Sequence, residues 1–239
     1  MSKKKERDQM LTIVAKLTEQ PVPKQINDLQ TASAYITFNK EQPAIKTTFY
    51  GNKAEDFKEL EENTVVLIEG TLNMDTVEQN NQNRKQPSIS GKNFITVKGL
   101  SGTFNSLKLV GRVGADPDMK YFDTGKCVAK IPLAVNKRKK DAKPNWFDVE
   151  VWDRQAEIVS NYVSKGKLVE VEGNIQYDVW ADKKTGEQRM KLKVRGNNIQ
   201  MHGGRNDNQQ MDSYSQQSTT QEPTAQEASQ EVNKEKIPF

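Results

Sequence analysis

The sequence predicts an all-β protein: two tandem five-stranded barrels, each with one short helix, followed by a disordered C-terminal tail. Three observations lead there. Apolar and polar residues alternate with the two-residue period of half-buried strands, as in Phe147-Asp148-Val149-Glu150-Val151-Trp152. That patterning occurs twice along the chain in the same order of blocks. Composition then breaks near Gly203-Gly204, beyond which Gln, Ser, Thr, Asn and Glu dominate. Such a stretch buries too little apolar area to offset its ordering entropy.

The bulk numbers agree with several small domains. Only 34% of the 239 residues are hydrophobic, too few for one large core. No apolar run approaches the ~20 residues that span a bilayer, so no membrane association is expected. The opening Met1-Ser2-Lys3-Lys4-Lys5-Glu6-Arg7 is basic but leads into no long apolar segment, which argues against a signal peptide. Residues 1–10 read as a flexible basic N-terminus. Cys127 is the single cysteine, so no intrachain disulfide forms, and its place in an alternating block predicts a buried strand residue. A cytoplasmic protein, in the bacterial nucleoid, is the expectation.

The repeat sets the element order. Leu11–Leu17 matches Leu107–Val113, each with a proline four residues on, at Pro21 and Pro117. Ala34–Lys40 matches Ile131–Lys137, Phe49–Glu55 matches Val151–Glu157, and Val65–Gly70 matches Leu168–Gly173. Between the third and fourth strands of each half lies a helical pattern. In the second half it runs from Gln155 to Val163, with Ala156, Val159 and Val163 on one face and Gly166 suited to the left-handed position after a helix. The first half has Ala54, Phe57 and Leu60 in the same places. Phe94–Val97 and Met190–Val194 supply the last strands. Three strands, a helix and two strands closing a barrel is the OB-fold. The domains are therefore residues 11–100, divergent, and residues 105–202, with 203–239 as the tail.

The second half concentrates the tryptophans. Trp146 opens the third strand, Trp152 ends it, and Trp180 follows the fourth strand at a hairpin carrying Asp182-Lys183-Lys184-Thr185-Gly186-Glu187. Alternation puts Trp146 and Trp152 on the same face as Asp148 and Glu150, so that face meets solvent while Phe147, Val149 and Val151 are buried. Exposed rings there either cap the barrel rim or a subunit contact, or form a stacking platform for bases. Lys137-Arg138-Lys139-Lys140 precedes Trp146, and Arg154 and Lys165 flank the helix. A charge run can be a solvated loop. Beside exposed tryptophans, phosphate neutralisation is the better reading. The charge distribution agrees. The tail holds three basic and six acidic residues, which leaves residues 1–202 with +7 of the total +4. The polar tail ends in Ile237-Pro238-Phe239, an extended apolar tip with a free carboxylate that suits a pocket on a partner protein.

Leu109-Val110-Gly111-Arg112-Val113, Asp116-Pro117, Trp146 through Glu157, Asn161-Tyr162 to Gly166, Val171-Glu172-Gly173 and Trp180 together resemble the DNA-binding domain of bacterial single-stranded DNA-binding protein. The resemblance covers Leu107 to Met201 and the terminal tip. It implies an OB-fold, four OB domains per assembly, and sequence-independent binding of single strands in replication, recombination and repair. Carried over by position, Trp146, Trp152 and Trp180 fall on base-stacking positions, Arg154 and Lys165 on basic ones, and Ile237, Pro238 and Phe239 on a tip that recruits replication and repair proteins. Tyr50 keeps an aromatic at the first half's counterpart of Trp152, whereas Ala44 and Val77 replace the other two tryptophans. A further stacking aromatic of the family falls on Lys139. The tip lacks the usual aspartate run and reads Asn233-Lys234-Glu235-Lys236. Two such domains per chain imply a homodimer, with a homotetramer as the alternative.

Catalysis finds little support. His202 is the single histidine, no His/Cys spacing suits zinc, and no phosphate-loop or dinucleotide motif occurs, so no cofactor, metal or catalytic residue is expected. Competing readings remain distinguishable. An adaptor acting through its tail would lose most function without Ile237-Pro238-Phe239. A cold-shock-type RNA binder would carry short aromatic motifs that are not found. A nuclease would degrade DNA when magnesium is added.

Overall fold

Two halves of the chain repeat one strand program, seen in a computed structural model that describes residues 8–39, 41–79, 82–99, 104–137, 142–183, 186 and 188–202. The first half runs β1 (Gln9–Leu17), β2 (Val22–Ile26), β3 (Leu29–Thr37), β4 (Ile45–Tyr50), α1 (Asn52–Lys58), β5 (Val65–Gln79) and β6 (Gln82–Thr96). The second runs β7 (Asn105–Val113), β8 (Asp118–Tyr121), β9 (Cys127–Val135), β10 (Asn145–Trp152), α2 (Arg154–Tyr162), β11 (Leu168–Ala181) and β12 (Gln188–His202). In each half the first strand pairs antiparallel with both the third-strand meander and the long hairpin, as β1 with β3 and β5, and β7 with β9 and β11. Parallel pairs, β4 with β6 and β10 with β12, close the barrels. The expected OB-fold architecture is therefore present twice.

Three details differ from the sequence reading. Each half gains a short extra strand, β2 or β8, paired only with the strand that follows it. The cause is local turn chemistry. Asn27, with φ 54°, turns β2 into β3, and Gly125, with φ 78°, sits in the turn before β9. The closing strands also run far beyond the apolar blocks that announced them, to Gln79 and Gln82 in β5–β6 and to Ala181 and Gln188 in β11–β12. Finally, α2 ends at Val163 in an extended conformation, so Gly166 is not its left-handed cap. Its φ of 87° serves the turn in which the Lys167 amide donates to Ser164 O at 3.1 Å.

The matched Glu-Gly pairs have a common physical cause. Both long hairpins bulge at the same place, between Glu69 and Gly70 and between Glu172 and Gly173. At the bulge the neighbouring strand presses on the backbone. A Cβ on Gly70 would lie 2.5 Å from Ser90 O, and one on Gly173 would lie 2.1 Å from Arg195 O.

The core follows the alternation. Phe147, Val149 and Val151 of β10 face inward onto Val169, Val171, Leu192 and Val194, with Ala156, Val159 and Val163 closing one end. Phe49 and Phe57 do the same in the first barrel, their rings 4.5 Å apart. Cys127 is buried, as its pattern predicts.

The barrels join edge to edge. β1 pairs antiparallel with β7 from Gln9↔Leu109 to Ile13↔Asn105, which makes one twelve-stranded sheet. The seam is reinforced by Asn145, 3% exposed, whose Oδ1 accepts from the Met74 amide at 3.2 Å and whose Nδ2 donates to Asn73 at 3.3 Å. Phe38 stacks on Tyr177 across the seam at 6.4 Å. Burial pushes the Tyr177 phenol well above its ordinary range.

Candidate nucleic-acid interface

The outer face of β10 is the natural starting point. Its burial alternates as expected, with Trp146 39% exposed and Phe147, Val149 and Val151 buried. Trp146 and Trp152 stand six residues apart on this face, about 20 Å at ~3.3 Å per residue. Trp146 rests against Gly114. A Cβ there would come within 2.4 Å of the indole, so glycine at this position makes the ring's seat.

One residue of the face departs from expectation. Glu150 is 6% exposed rather than solvated. It sits between Lys130 at 3.0 Å and Lys193 at 2.7 Å, and Lys193 also pairs with Asp178. Burial raises the Glu150 carboxyl, but the hydrogen bonds and charge of Lys193 and Lys130 outweigh it and leave it below the usual carboxylate value. Lys193 mirrors this. Burial lowers it, and its bonds to Asp178 and Glu150 carry it above the ordinary lysine value.

These lysines belong to a row that sequence reading missed. Arg189, Lys191, Lys193 and Arg195 alternate on β12 with Leu192 and Val194, which are buried, so four cations share the outer face. Period-two cations in a strand were the available signal. Lys191 pairs with Asp148 at 2.8 Å and Arg189 with Asp182 at 2.7 Å. The Arg195 guanidinium lies over the Trp152 ring at 5.3 Å. That ring also stacks on Phe122 at 5.7 Å with planes 10° apart, and the Lys120 ammonium lies 5.1 Å over Phe122. Phe122, Lys120 and Arg195 thus form a cation–aromatic cluster around Trp152.

The remaining expected residues take these places. Trp180 lies within β11, not beyond it, because the strand continues to Ala181. It is 44% exposed and pairs with Arg189 in register. Lys137, two residues beyond β9, pairs with Asp75 of the first barrel at 3.5 Å. Arg154 opens α2 and is exposed, while Lys165 is exposed beside a turn where its amide donates to Asp116 at 2.8 Å. Arg138, Lys139, Lys140, Ile237, Pro238 and Phe239 lie outside the described residues.

The first barrel presents the same places with different chemistry. Tyr50 ends β4 as Trp152 ends β10, and is 43% exposed. The Lys130–Glu150 pair becomes a Ser33–Thr48 hydroxyl contact at 2.9 Å. The Lys193–Asp178 pair becomes a Ser88 hydroxyl donating to Asp75 at 2.7 Å. The ion-pair lattice of one barrel is a mostly neutral hydroxyl lattice in the other.

Among the described residues, no cluster of three or more His, Cys, Asp or Glu is placed to hold a metal ion. None of their helices is long and apolar enough to cross a membrane.

Comparison with known proteins agrees with this geometry. Residues 104–202 match the single-strand binding protein family. Single-stranded DNA-binding protein 1 of Synechocystis sp. is 47% identical over 106 residues, 44% of this chain and 88% of that protein. Single-stranded DNA-binding protein 1 of Nostoc sp. is 44% identical over 105 residues, again 44% of this chain and 88% of that protein. The crystal structure of wild-type single-stranded DNA binding protein from Thermus aquaticus superposes with a TM-score of 0.64 at 20% identity, over 82% of this chain and 93% of that one, which extends the shared fold across both barrels. A second barrel with this much sequence in common with whole relatives, on a fold repeated in tandem, places the chain in the single-strand binding protein family.

Proposed function

We propose that the protein binds single-stranded DNA without sequence preference and protects it in replication, recombination and repair. The observation that carries this is the outer face of the second barrel. There exposed Trp146 and Trp180 and half-buried Trp152 surround the cation row of β12. Bases stack on rings whatever their identity, at about 1–3 kcal/mol each, and cations follow the backbone. Trp146, Trp152, Trp180 and Tyr50 are the stacking residues in this reading. Lys137, Arg138, Lys139, Lys140, Arg154 and Lys165 neutralise phosphates, together with the exposed members of the β12 row. Residues 11–100 and 105–202 are the two binding domains, and 203–239 the tail whose tip, Ile237-Pro238-Phe239, recruits replication and repair proteins. The family is one of binding proteins, and no chemical step is assigned to this chain. Two chains give four barrels, in the cytoplasm.

Titration of intrinsic tryptophan fluorescence with oligo(dT), with duplex DNA as control and at two salt concentrations, tests this. Quenching by the single strand alone, weaker at high salt, supports both stacking and phosphate contacts. No quenching would refute the stacking role.

A further inference from the structure

Three carboxylates stand on the outer face of the second barrel, where a polyanion is expected and acids repel it. Glu150 is buried and ties Lys130 to Lys193 beneath that face. Asp148 and Asp178 differ from it. Their side chains are 42% and 44% exposed, and each is held by a lysine of β12, Asp148 by Lys191 at 2.8 Å and Asp178 by Lys193. Exposed ion pairs add little to stability, so folding alone gives no reason to set two acids there. Their position does. Asp148 lies two residues after Trp146 on β10, and Asp178 lies two residues before Trp180 on β11. Strand alternation puts each acid on the same side as its exposed tryptophan, about 7 Å along the chain.

We infer that Asp148 and Asp178 read the edge of a base stacked on the neighbouring tryptophan and favour guanine, a role that rests on the single-strand-binding reading above. A single strand leaves the Watson–Crick edges of its bases unpaired, so a base lying on an indole can turn that edge to the carboxylate. An ionised carboxylate only accepts hydrogen bonds, through two oxygens side by side. Guanine matches it with two adjacent donors, N1–H and the 2-amino group. Cytosine and adenine offer one amino donor beside a ring acceptor. Thymine offers N3–H between two carbonyl oxygens, which repel a carboxylate. Lys191 and Lys193 hold the acids in place and offset their repulsion of phosphate. Stacking still admits every base, so the strand is held whatever its sequence, and the carboxylates grade its composition.

Anisotropy competition tests this with three oligonucleotides: a thymine tract, the same tract with isolated thymines replaced by guanine, and the same again with hypoxanthine. Hypoxanthine keeps the purine ring and N1–H but lacks the 2-amino group, so comparing it with guanine removes stacking from the readout. The wild type is expected to bind the guanine tract about fivefold more tightly than the hypoxanthine tract, the low end for a bidentate base contact. Asp148→Asn/Asp178→Asn should make the two tracts bind alike. The freed lysines tighten that variant's grip on all three tracts equally, so the ratio carries the result and the affinity does not. Equal binding of the two purine tracts by the wild type, or a guanine preference that survives in the double variant, would overturn base reading while leaving single-strand binding intact. If the wild type binds none of the tracts, the functional reading falls first. Thermal melts serve as the folding control, and each single variant, expected to lose part of the preference, replaces a double variant that does not fold.

Discussion

Replacing Glu150 by Gln tests the ion-pair lattice under the stacking face. The carboxylate is buried and serves Lys193, itself mostly buried, and Lys130, which is half exposed. Removing one partner of a fully buried pair costs about 3–5 kcal/mol. Two features reduce that figure here. Lys193 keeps Asp178, and the exposed Lys130 pair contributes under ~1 kcal/mol. A loss of about 2 kcal/mol is expected, read as a shift in urea unfolding at neutral pH. The same change releases one cation on the binding face, Lys130, because Lys193 stays with Asp178. If Lys130 then engages a phosphate, the log–log salt slope for oligo(dT) steepens by about 0.7. The pH dependence has a defined sign. A carboxyl lowered in the folded state contributes stability above its unfolded pKa of ~4.3 and loses it as pH falls through the lower folded value. The gap between wild type and Glu150→Gln should therefore close in acid. Lys193, raised in the folded state, holds its share below ~10.4 and loses it only as pH rises through its higher folded value. Unchanged stability together with an unchanged salt slope would refute the view that Glu150 is both a structural anchor and a mask on Lys130.

Other expectations are more local. Gly173→Ala drives a Cβ to 2.1 Å from a backbone oxygen, and should destabilise by more than the ~1–3 kcal/mol of ordinary overpacking, measured by chemical denaturation. Asn145→Ala leaves the Met74 amide without its acceptor at the seam and should cost about 1–3 kcal/mol in the same assay. Phe122→Ala uncovers the Trp152 ring and should increase the fluorescence quenching caused by oligo(dT). Equal quenching would mean that Phe122 does not restrict that ring.

Much of this was legible in the sequence, for a physical reason in each case. The core face of β10 is written in its alternation, and Cys127 is buried where that period puts it. The repeat is visible because both barrels need glycine at the same bulge. What escaped notice depends on contacts between segments distant in sequence. Glu150 looked solvated because alternation assigns a face but not what covers it, and Lys130 and Lys193 come from other strands. The β12 cations carry meaning only as one period-two row, which the apolar positions of that strand do not announce. Phe122 lies just after a short strand that itself went unnoticed, so its stacking on Trp152 had no antecedent. The seam between barrels needed the β1–β7 register, which no local pattern announces.

That register also has a consequence for direction. Two identical barrels paired by antiparallel strands are related by a two-fold axis, and such a surface greets a strand in the same way from either end. Here the pairing is kept while the faces have diverged, with tryptophan and ion pairs on one side and tyrosine and hydroxyls on the other. The axis survives in the backbone and is lost in the chemistry. A polymer with distinct 5′ and 3′ ends therefore has two inequivalent ways of lying across this chain.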